Sequence, residues 1–182
     1  GEKADAFLES FVSVKEANEF LKNFDENGSK ANQFIHEFNG SPDCASKFIK
    51  SFNNSKEALD HLKTIKRECD ETTDNYCGEN CKWIFDEKTK TLFIRGSGKM
   101  RDYDYDDFFI EDEVLTTSWS SIREQIENVV ISEGITSIGE SAFSDCSSLK
   151  SITIPNSVTT IGECAFQLCS SLTSITIPKG VT

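Results

Sequence analysis

The sequence contains few of the residues on which enzyme active sites and nucleic-acid interfaces depend. Its 182 residues include only two histidines, His36 and His61, and 19 Lys and Arg residues stand against 31 Asp and Glu. The formal net charge of −12 repels phosphate backbones and anionic membrane surfaces, so we expect no nucleic-acid partner. No apolar run approaches the roughly 18 residues that a membrane span requires. The charged start GEKAD resembles neither a signal peptide nor a transit peptide.

Catalytic motifs are also missing. No Ser, Cys or Asp motif frames either histidine, and the sequence shows no nucleophile elbow, phosphate loop or metal triad. We therefore expect a protein that is not an enzyme and that binds no cofactor.

One acidic run, DYDYDDFFIEDE, is similar to a calcium-binding loop. Asp102, Asp104, Asp106 and Glu113 occupy positions 1, 3, 5 and 12 of such a loop. Asp107, however, stands at position 6, where the sharp turn requires glycine. We interpret the run as a solvated acidic loop, and a calcium site remains the weaker alternative.

The C-terminal third repeats itself every 23 residues. Ile138, Gly139, Ala142, Phe143, Cys146 and Leu149 recur as Ile161, Gly162, Ala165, Phe166, Cys169 and Leu172. A unit this short cannot bury its own apolar face, so neighbouring units must stack into a solenoid. We expect Phe166 to be buried between repeats, and we expect function to lie in the surface.

Each repeat is expected to supply one short strand. Leu149, Ile152 and Ile154 would face the core, and the residues between them would face outward. The outward positions form the candidate ligand-binding face, which consists of Asn128, Val130, Lys150, Ser151, Thr153, Thr173, Ser174 and Thr176. This mostly uncharged, hydroxyl-rich face suits a protein or glycan ligand. The alternative is that threonine serves only strand propensity and solubility.

The N-terminal part repeats with a shorter period. Each unit begins with an alanine, and apolar residues tend to follow it at +3, +4 and +7. The leading alanines are Ala4, Ala17, Ala31, Ala45 and Ala58. This spacing predicts five helices of about ten residues each, stabilised by packing their Phe stripes together. The aromatic residues would form a core or, alternatively, line a groove for an apolar peptide or lipid. The turns carry three glycosylation sequons, which also suit turn geometry, at Asn27, Asn39 and Asn53.

Three cysteines, Cys69, Cys77 and Cys81, cluster where the helical pattern ends. They could form one disulfide in an oxidising compartment, with the pairing left open. Cys146 and Cys169 share one repeat position among apolar neighbours and are expected to be buried, inert thiols.

A β-hairpin is predicted next, because apolar residues alternate with polar ones on both sides of a turn at residues 86–90. Three segments resemble the BspA-like leucine-rich repeat proteins: this hairpin, the segment WSSIREQI at 119–126 and the repeat sequence IPNSVTTIGECAFQLCSSLTSITIP. The resemblance covers Cys77 to Thr182. It implies a right-handed horseshoe with a parallel sheet on its concave side, an N-terminal hairpin cap and a role in adhesion at the cell surface.

The sequence thus predicts an α+β chain, in which a short-helix repeat bundle precedes a hairpin-capped leucine-rich repeat solenoid with a parallel sheet. The expected domains are residues 1–70, a cap with its acidic loop at 71–127, and about two and a half repeats at 128–182, as part of a longer array. We expect a non-catalytic recognition or adhesion module that is cell-surface or secreted. The alternative is a cytoplasmic scaffold. The open last repeat could also support self-association.

Overall fold

The computed structural model describes residues 13–24, 27–103 and 117–182. The chain forms two compact units, Gly1–Lys66 and Arg67–Thr182. The described part contains four helices: α1 (Val14–Lys22), α2 (Gly28–His36), α3 (Pro42–Lys50) and α4 (Ser55–Glu71). The helix predicted around Ala4 lies outside the described residues. With 17 residues, α4 is longer than the ten or so predicted, because its apolar stripe continues through Leu62, Ile65 and Cys69.

Side-chain caps start the first three helices. Ser13 accepts a hydrogen bond from the Glu16 N–H at 3.2 Å, Asn27 accepts one from Lys30 at 3.1 Å, and Ser41 accepts one from Cys44 at 3.4 Å. Each cap satisfies a backbone donor that has no partner inside the helix.

The helices bury the predicted alanine and phenylalanine stripe. The alanines that lead the four described units, Ala17, Ala31, Ala45 and Ala58, are fully buried. Phe34 packs against Phe38 at a ring-centroid distance of 5.3 Å, and Phe38 packs against Phe48 at 5.2 Å. These contacts lie in the range that aromatic pairs prefer, so the stripe is a packed core within this unit.

The described residues of the second unit form six strands: β1 (Gly78–Asp86), β2 (Thr91–Met100), β3 (Asn128–Ile131), β4 (Ile135–Ile138), β5 (Ser151–Thr153) and β6 (Thr160–Ile161). β1 and β2 form an antiparallel hairpin. β3 and β4 both run parallel to β2, one beside its first half and the other beside its second half. β5 then adds to β3 and β6 adds to β4, so the chain forms the curled parallel sheet expected of a leucine-rich repeat fold.

Apolar residues inside this sheet form one continuous core. Alternate residues of the strands point into it, among them Leu92, Ile94, Val129, Ile131 and Ile152. The same core contains a column of aromatic rings, which we call the aromatic stack: Trp119, Phe143 and Phe166. The ring centroids of Trp119 and Phe143 are 5.5 Å apart, and those of Phe143 and Phe166 are 5.7 Å apart, with the second pair only 7° from parallel.

Phe166 departs from the expected burial. Phe143 is fully buried between two rings. Phe166 is only partly buried because a stacked ring, that of Phe143, covers just one of its two faces. The prediction that Phe166 is buried between repeats is therefore only half right.

The recurring glycine explains how closely the repeats stack. A Cβ atom at Gly139 would lie 1.8 Å from the Arg101 carbonyl oxygen, and one at Gly162 would lie 2.4 Å from the Glu140 nitrogen. Any side chain at these positions would force the backbones apart. The 23-residue recurrence of glycine therefore marks a backbone contact between turns of the solenoid.

Candidate functional site

The candidate ligand-binding face lies on β3, on β5 and on the extended segment that follows Leu172. The parallel register places Asn128 beside Ser151, and Val130 beside Thr153. These residues alternate along the strands with Val129 and Ile152, which belong to the core. The predicted alternation therefore holds, and the candidate residues do form rows across neighbouring repeats.

The predicted exposure of Val130 and Thr153 is wrong. Val130 is 4% exposed and Thr153 is 7% exposed, although neither belongs to the core cluster. In the strand register, Val130 lies between Phe93 of β2, itself 3% exposed, and Thr153. The side chains of these neighbours are as large as that of Val130 or larger, so they leave little of its surface accessible to solvent. These two residues are therefore not part of an accessible site.

Exposure increases along both rows toward the last repeat. Thr176 and Ser174, which follow Thr153 and Ser151 at the 23-residue offset, are exposed, and so are Lys150 and Thr173. Asn128 and Ser151 are half-buried. We call these six residues the hydroxyl face: Asn128, Lys150, Ser151, Thr173, Ser174 and Thr176. Its accessible part lies mainly in the last repeat.

Hydrogen bonds between repeats hold part of this face in place. The Ser151 hydroxyl donates to the Asn128 side-chain oxygen at 2.7 Å, and the Asn128 amide donates to the Thr89 carbonyl at 3.4 Å. The Lys150 ammonium lies 2.7 Å from the Glu127 carboxylate. Because both groups of that ion pair are largely exposed, it stabilises the fold by no more than about 1 kcal/mol. Glu127 was not predicted, although its 23-residue offset from Lys150 could have identified it.

The structure brings two of the three clustered cysteines into contact. The sulfur of Cys77 donates a hydrogen bond to the sulfur of Cys81 at 3.4 Å, and both thiols are fully buried. Cys69, also fully buried, lies on α4. The hydrogen bond with Cys81, together with burial, raises the pKa of Cys77, and the same bond lowers the pKa of Cys81. None of Cys69, Cys77 and Cys81 forms a disulfide in this structure.

The prediction that Cys146 and Cys169 are buried is confirmed. Burial raises the pKa of Cys146 to about 12 and that of Cys169 to about 11. The Cys169 thiol donates to the Phe143 carbonyl oxygen at 3.1 Å. Thiols with such high pKa values form little thiolate near neutral pH, so both side chains act as packing groups.

A small cleft beside β1 has no counterpart in the sequence-based predictions. Its volume is about 330 Å³, and its lining includes Cys69, Lys82, Arg95, Asp70 and Glu79. The Lys82 ammonium donates to the Asp70 and Thr72 carbonyls at 2.9 and 2.7 Å, which holds it against the end of α4. Two acidic and two basic side chains line the cleft, so its charge does not favour a ligand of one sign.

In the part of the chain that the structure describes, no group of three or more His, Cys, Asp or Glu residues could hold a metal ion. Of the calcium-loop residues, Asp104, Asp106 and Glu113 lie outside the described residues. Asp102 is described, and its carboxylate accepts a hydrogen bond from the Glu140 backbone N–H at 2.8 Å. Among the described residues, no helix combines the length and apolar character that crossing a membrane requires.

A family model matches the C-terminal part of the chain. Residues 118–182 match the family model "BspA type Leucine rich repeat region (6 copies)". No curated protein matches the chain. A solved leucine-rich repeat protein from Eubacterium ventriosum is 31% identical, with a TM-score of 0.46, and the match covers 55% of this chain and 24% of that one.

Two further solved structures are similar to part of this chain. A leucine-rich repeat protein from Bacteroides ovatus is 24% identical, with a TM-score of 0.35 and coverage of 59% of this chain and 30% of that one. The leucine-rich repeat protein of T. pallidum is 18% identical, with a TM-score of 0.33 and coverage of 56% and 49%. The present chain thus matches a quarter to a half of the length of these proteins.

The family model and the repeat geometry lead to the same assignment. Leucine-rich repeat proteins generally mediate protein–protein interaction and are typically not enzymes, and BspA-like members are often surface or secreted proteins of bacteria. Residues 118–182 of this chain match the BspA-type leucine-rich repeat family.

Proposed function

We propose that this chain is a non-catalytic recognition module that binds a protein ligand, at the cell surface or after secretion, through the hydroxyl face. The observation that carries the proposal is the exposure of Lys150, directly before β5, and of Thr173, Ser174 and Thr176 on the segment after Leu172, while Ile175 of that segment packs against the core. Such a face offers hydroxyl donors and acceptors with a single positive charge. Its chemistry suits the polar surface of a folded protein or a glycan.

Two features of the chain support a binding role over catalysis. The pKa values that burial raises most belong to thiols and to Tyr103, and these groups are packed within the core. A catalytic acid or base must reach its substrate, so these groups are poorly placed for such a role. The net charge of −12 further favours a partner with a neutral or basic surface.

We also propose that the β1–β2 hairpin is the N-terminal cap of the solenoid and that the helical part, residues 1–70 as predicted, is a repeat bundle. β2 supplies the edge on which β3 and β4 both assemble, and β1 covers the other side of β2 through antiparallel pairing. A cap of this kind protects the first repeat from edge-to-edge association. Residues 71–127 would then be the cap segment, and residues 128–182 the repeats.

The cytoplasmic scaffold remains a second candidate because of one observation: Cys69, Cys77 and Cys81 form no disulfide in this structure. Free thiols persist in reducing compartments, whereas disulfides form in oxidising ones. Mass spectrometry of the protein from its native source distinguishes the two candidates. A native disulfide, or a glycan on Asn27, favours the surface module, and seven reduced, unmodified cysteines favour the scaffold.

The binding experiment uses immobilised fibronectin, laminin and collagen, together with a glycan array, as probes for the purified chain. We expect saturable binding to at least one probe. Thr176→Arg and Ser174→Arg should each weaken that binding at least tenfold, because a bulky cation replaces a small hydroxyl at the contact. Thr160→Arg is the matched control, since Thr160 is an exposed threonine on β6, outside the hydroxyl face.

Circular dichroism establishes that all three variants remain folded. An equal loss of binding in Thr160→Arg, or undiminished binding in both face variants, would remove the hydroxyl face as the site. The absence of binding to every probe would contradict the adhesion function.

Self-association through the last repeat is a further proposal. Leu168 is 58% exposed and Ile177 is 45% exposed, so both offer apolar surface for a contact. A second copy could cover them. Sedimentation at increasing concentration should show a dimer that Ile177→Lys abolishes, while Thr160→Lys leaves it intact. A monomer at every concentration would exclude this proposal.

A further inference from the structure

The tight turn at the start of β1 holds a pair of cysteines in opposing positions, Cys77 and Cys81. Tyr76 and Lys82 form an antiparallel bridge, and the Trp83 N–H donates to the Asn75 carbonyl at 2.9 Å. One step further into the turn, the Cys77 N–H donates to the Cys81 carbonyl at 3.0 Å. Residues 77 and 81 are therefore directly opposed partners of a tight antiparallel ladder.

We propose that Cys77 and Cys81 form a structural disulfide that closes this turn, and that Cys69 remains a free thiol. The two sulfurs are already in contact at 3.4 Å, with both side chains fully buried. Hydrogen-bonded antiparallel partners have Cα atoms about 5.5 Å apart, which is within the span that a disulfide bridges. The proposal rests on the oxidising location of the proposed surface module.

Nearby glycines leave room for the pair. A Cβ atom at Gly78 would lie 2.5 Å from the Cys81 sulfur and 2.3 Å from the Lys99 carbonyl oxygen. A Cβ atom at Gly96, where φ is +118°, would lie 2.1 Å from the Asn80 carbonyl oxygen. Residue 78 must therefore lack a side chain if the Cys81 sulfur is to reach Cys77.

The geometry selects this pair over the other two combinations. Cys77 is in sulfur contact with Cys81, whereas Cys69 lies on α4 and lines the cleft beside β1. The Arg101 N–H also donates to the Cys77 carbonyl at 2.7 Å, which fixes the backbone of Cys77 against the end of β2. A bond from Cys69 to either partner would have to disrupt this arrangement.

The bond forms by two thiol–disulfide exchanges with a small-molecule disulfide such as oxidised glutathione. Cys81, as the thiolate, attacks one sulfur of that disulfide, which gives a mixed disulfide and releases one thiolate. Cys77 then loses its proton and attacks the Cys81 sulfur, which releases the second thiol. The two protein thiols are oxidised, and one small disulfide is reduced to two thiols. Since both cysteines are buried in the folded chain, the exchange takes place while the chain folds.

The test is refolding of the full reduced chain in a glutathione redox buffer, followed by alkylation and tryptic mapping. One tryptic peptide, residues 68–82, carries Cys69, Cys77 and Cys81 together. We expect this peptide to carry a single alkyl group, located on Cys69, and to lose two hydrogens relative to the reduced form. Fragment ions should be missing between residues 77 and 81, because the closed loop holds both pieces together.

Matched variants sharpen the assignment. Cys69→Ser should leave the loop closed, whereas Cys81→Ser should leave Cys77 open to alkylation. Gly78→Ala should lower the disulfide yield several-fold, and Gly180→Ala, at a glycine with open space around it, should not. An alkylated Cys77 and Cys81 in an oxidising buffer, or a bond that includes Cys69, would overturn the proposal. The hydroxyl face contains none of these residues, so loss of ligand binding with an intact disulfide counts against the proposed function alone.

Discussion

The aromatic stack offers the most direct test of how the repeats hold together, through Phe143→Ala. Phe143 is fully buried, with Trp119 on one face and Phe166 on the other. Truncating a buried Phe to Ala usually costs about 3 to 5 kcal/mol in transfer and cavity terms. Since both ring faces lose a stacked partner, we expect a loss at the upper end, about 4 to 5 kcal/mol.

Phe166→Ala is the internal comparison. Phe166 stacks on Phe143 through one face and is only partly buried. We therefore expect it to cost about half as much, about 2 kcal/mol. Phe143→Leu should retain most of the apolar volume and lose about 1 to 2 kcal/mol, which provides a folded variant if Phe143→Ala unfolds the unit outright.

Tryptophan fluorescence in urea makes the measurement specific to the second unit. The chain has two tryptophans, Trp83 and Trp119, and both belong to Arg67–Thr182. Far-ultraviolet circular dichroism then follows the helical unit separately, because two units need not unfold in a single transition. If Phe143→Ala costs less than about 1 kcal/mol, or no more than Phe166→Ala, the stack does not hold the repeats together.

Two further predictions concern backbone packing and pH. Gly139→Ala, which would place a Cβ atom 1.8 Å from the Arg101 carbonyl oxygen, should cost at least about 2 kcal/mol in urea melts, whereas Gly180→Ala should change the stability by less than about 0.5 kcal/mol; equal effects would contradict the close approach. Burial raises the pKa of Cys146 to about 12 from a usual value near 9, so the folded state holds its proton where the unfolded chain releases it. The free energy of unfolding should therefore fall as the pH rises from 9 to 12, and Cys146→Ala should make that fall shallower, while replacing the exposed Cys164 should not; identical slopes would show that Cys146 does not contribute.

The sequence contained enough to predict what each repeat buries. Equivalent glycine, phenylalanine and cysteine residues 23 positions apart indicated the stacking, and the structure places Phe143 over Phe166 in this register. The helix starts were readable because Ser, Asn and Ser–Pro are chemical signals for capping. Such features depend on local chemistry or on the period of the chain, and both are visible without coordinates.

The exposure of the binding face was not readable in the same way. Alternation identified the side of the strand on which Val130 and Thr153 lie, but the neighbours that shield them come from other strands. The sequence did not indicate the backbone conformation of the loops either. Ser141 and Cys164 have φ values of 51° and 54°, and Asp145 and Leu168 have 58° and 57°, so the left-handed positions recur every 23 residues without glycine at any of them.

Those loops explain how a sheet with such short strands can present a fixed face. Ser141, Phe143 and Asp145 donate backbone hydrogen bonds to the carbonyls of Glu163, Ala165 and Gln167, at 2.8 to 2.9 Å. Alternate residues of one loop thus pair with the next loop, as strands do in a parallel sheet. The left-handed residues turn the backbone so that these donors face the neighbouring repeat.

The repeats are therefore joined three times: through β3 and β5, through β4 and β6, and through their loops. The aromatic stack adds a side-chain contact between them. Relative rotation of two repeats would have to break all of these contacts together. The hydroxyl face then requires little ordering when a ligand binds, which lowers the entropic cost of association. A substitution in a loop, such as Ser141→Pro, removes a donor of the contact between loops, and proline cannot adopt the φ of 51° at that position. The substitution should for that reason weaken ligand binding without touching the face. If its binding affinity is unchanged while its stability falls, the loops contribute to folding alone.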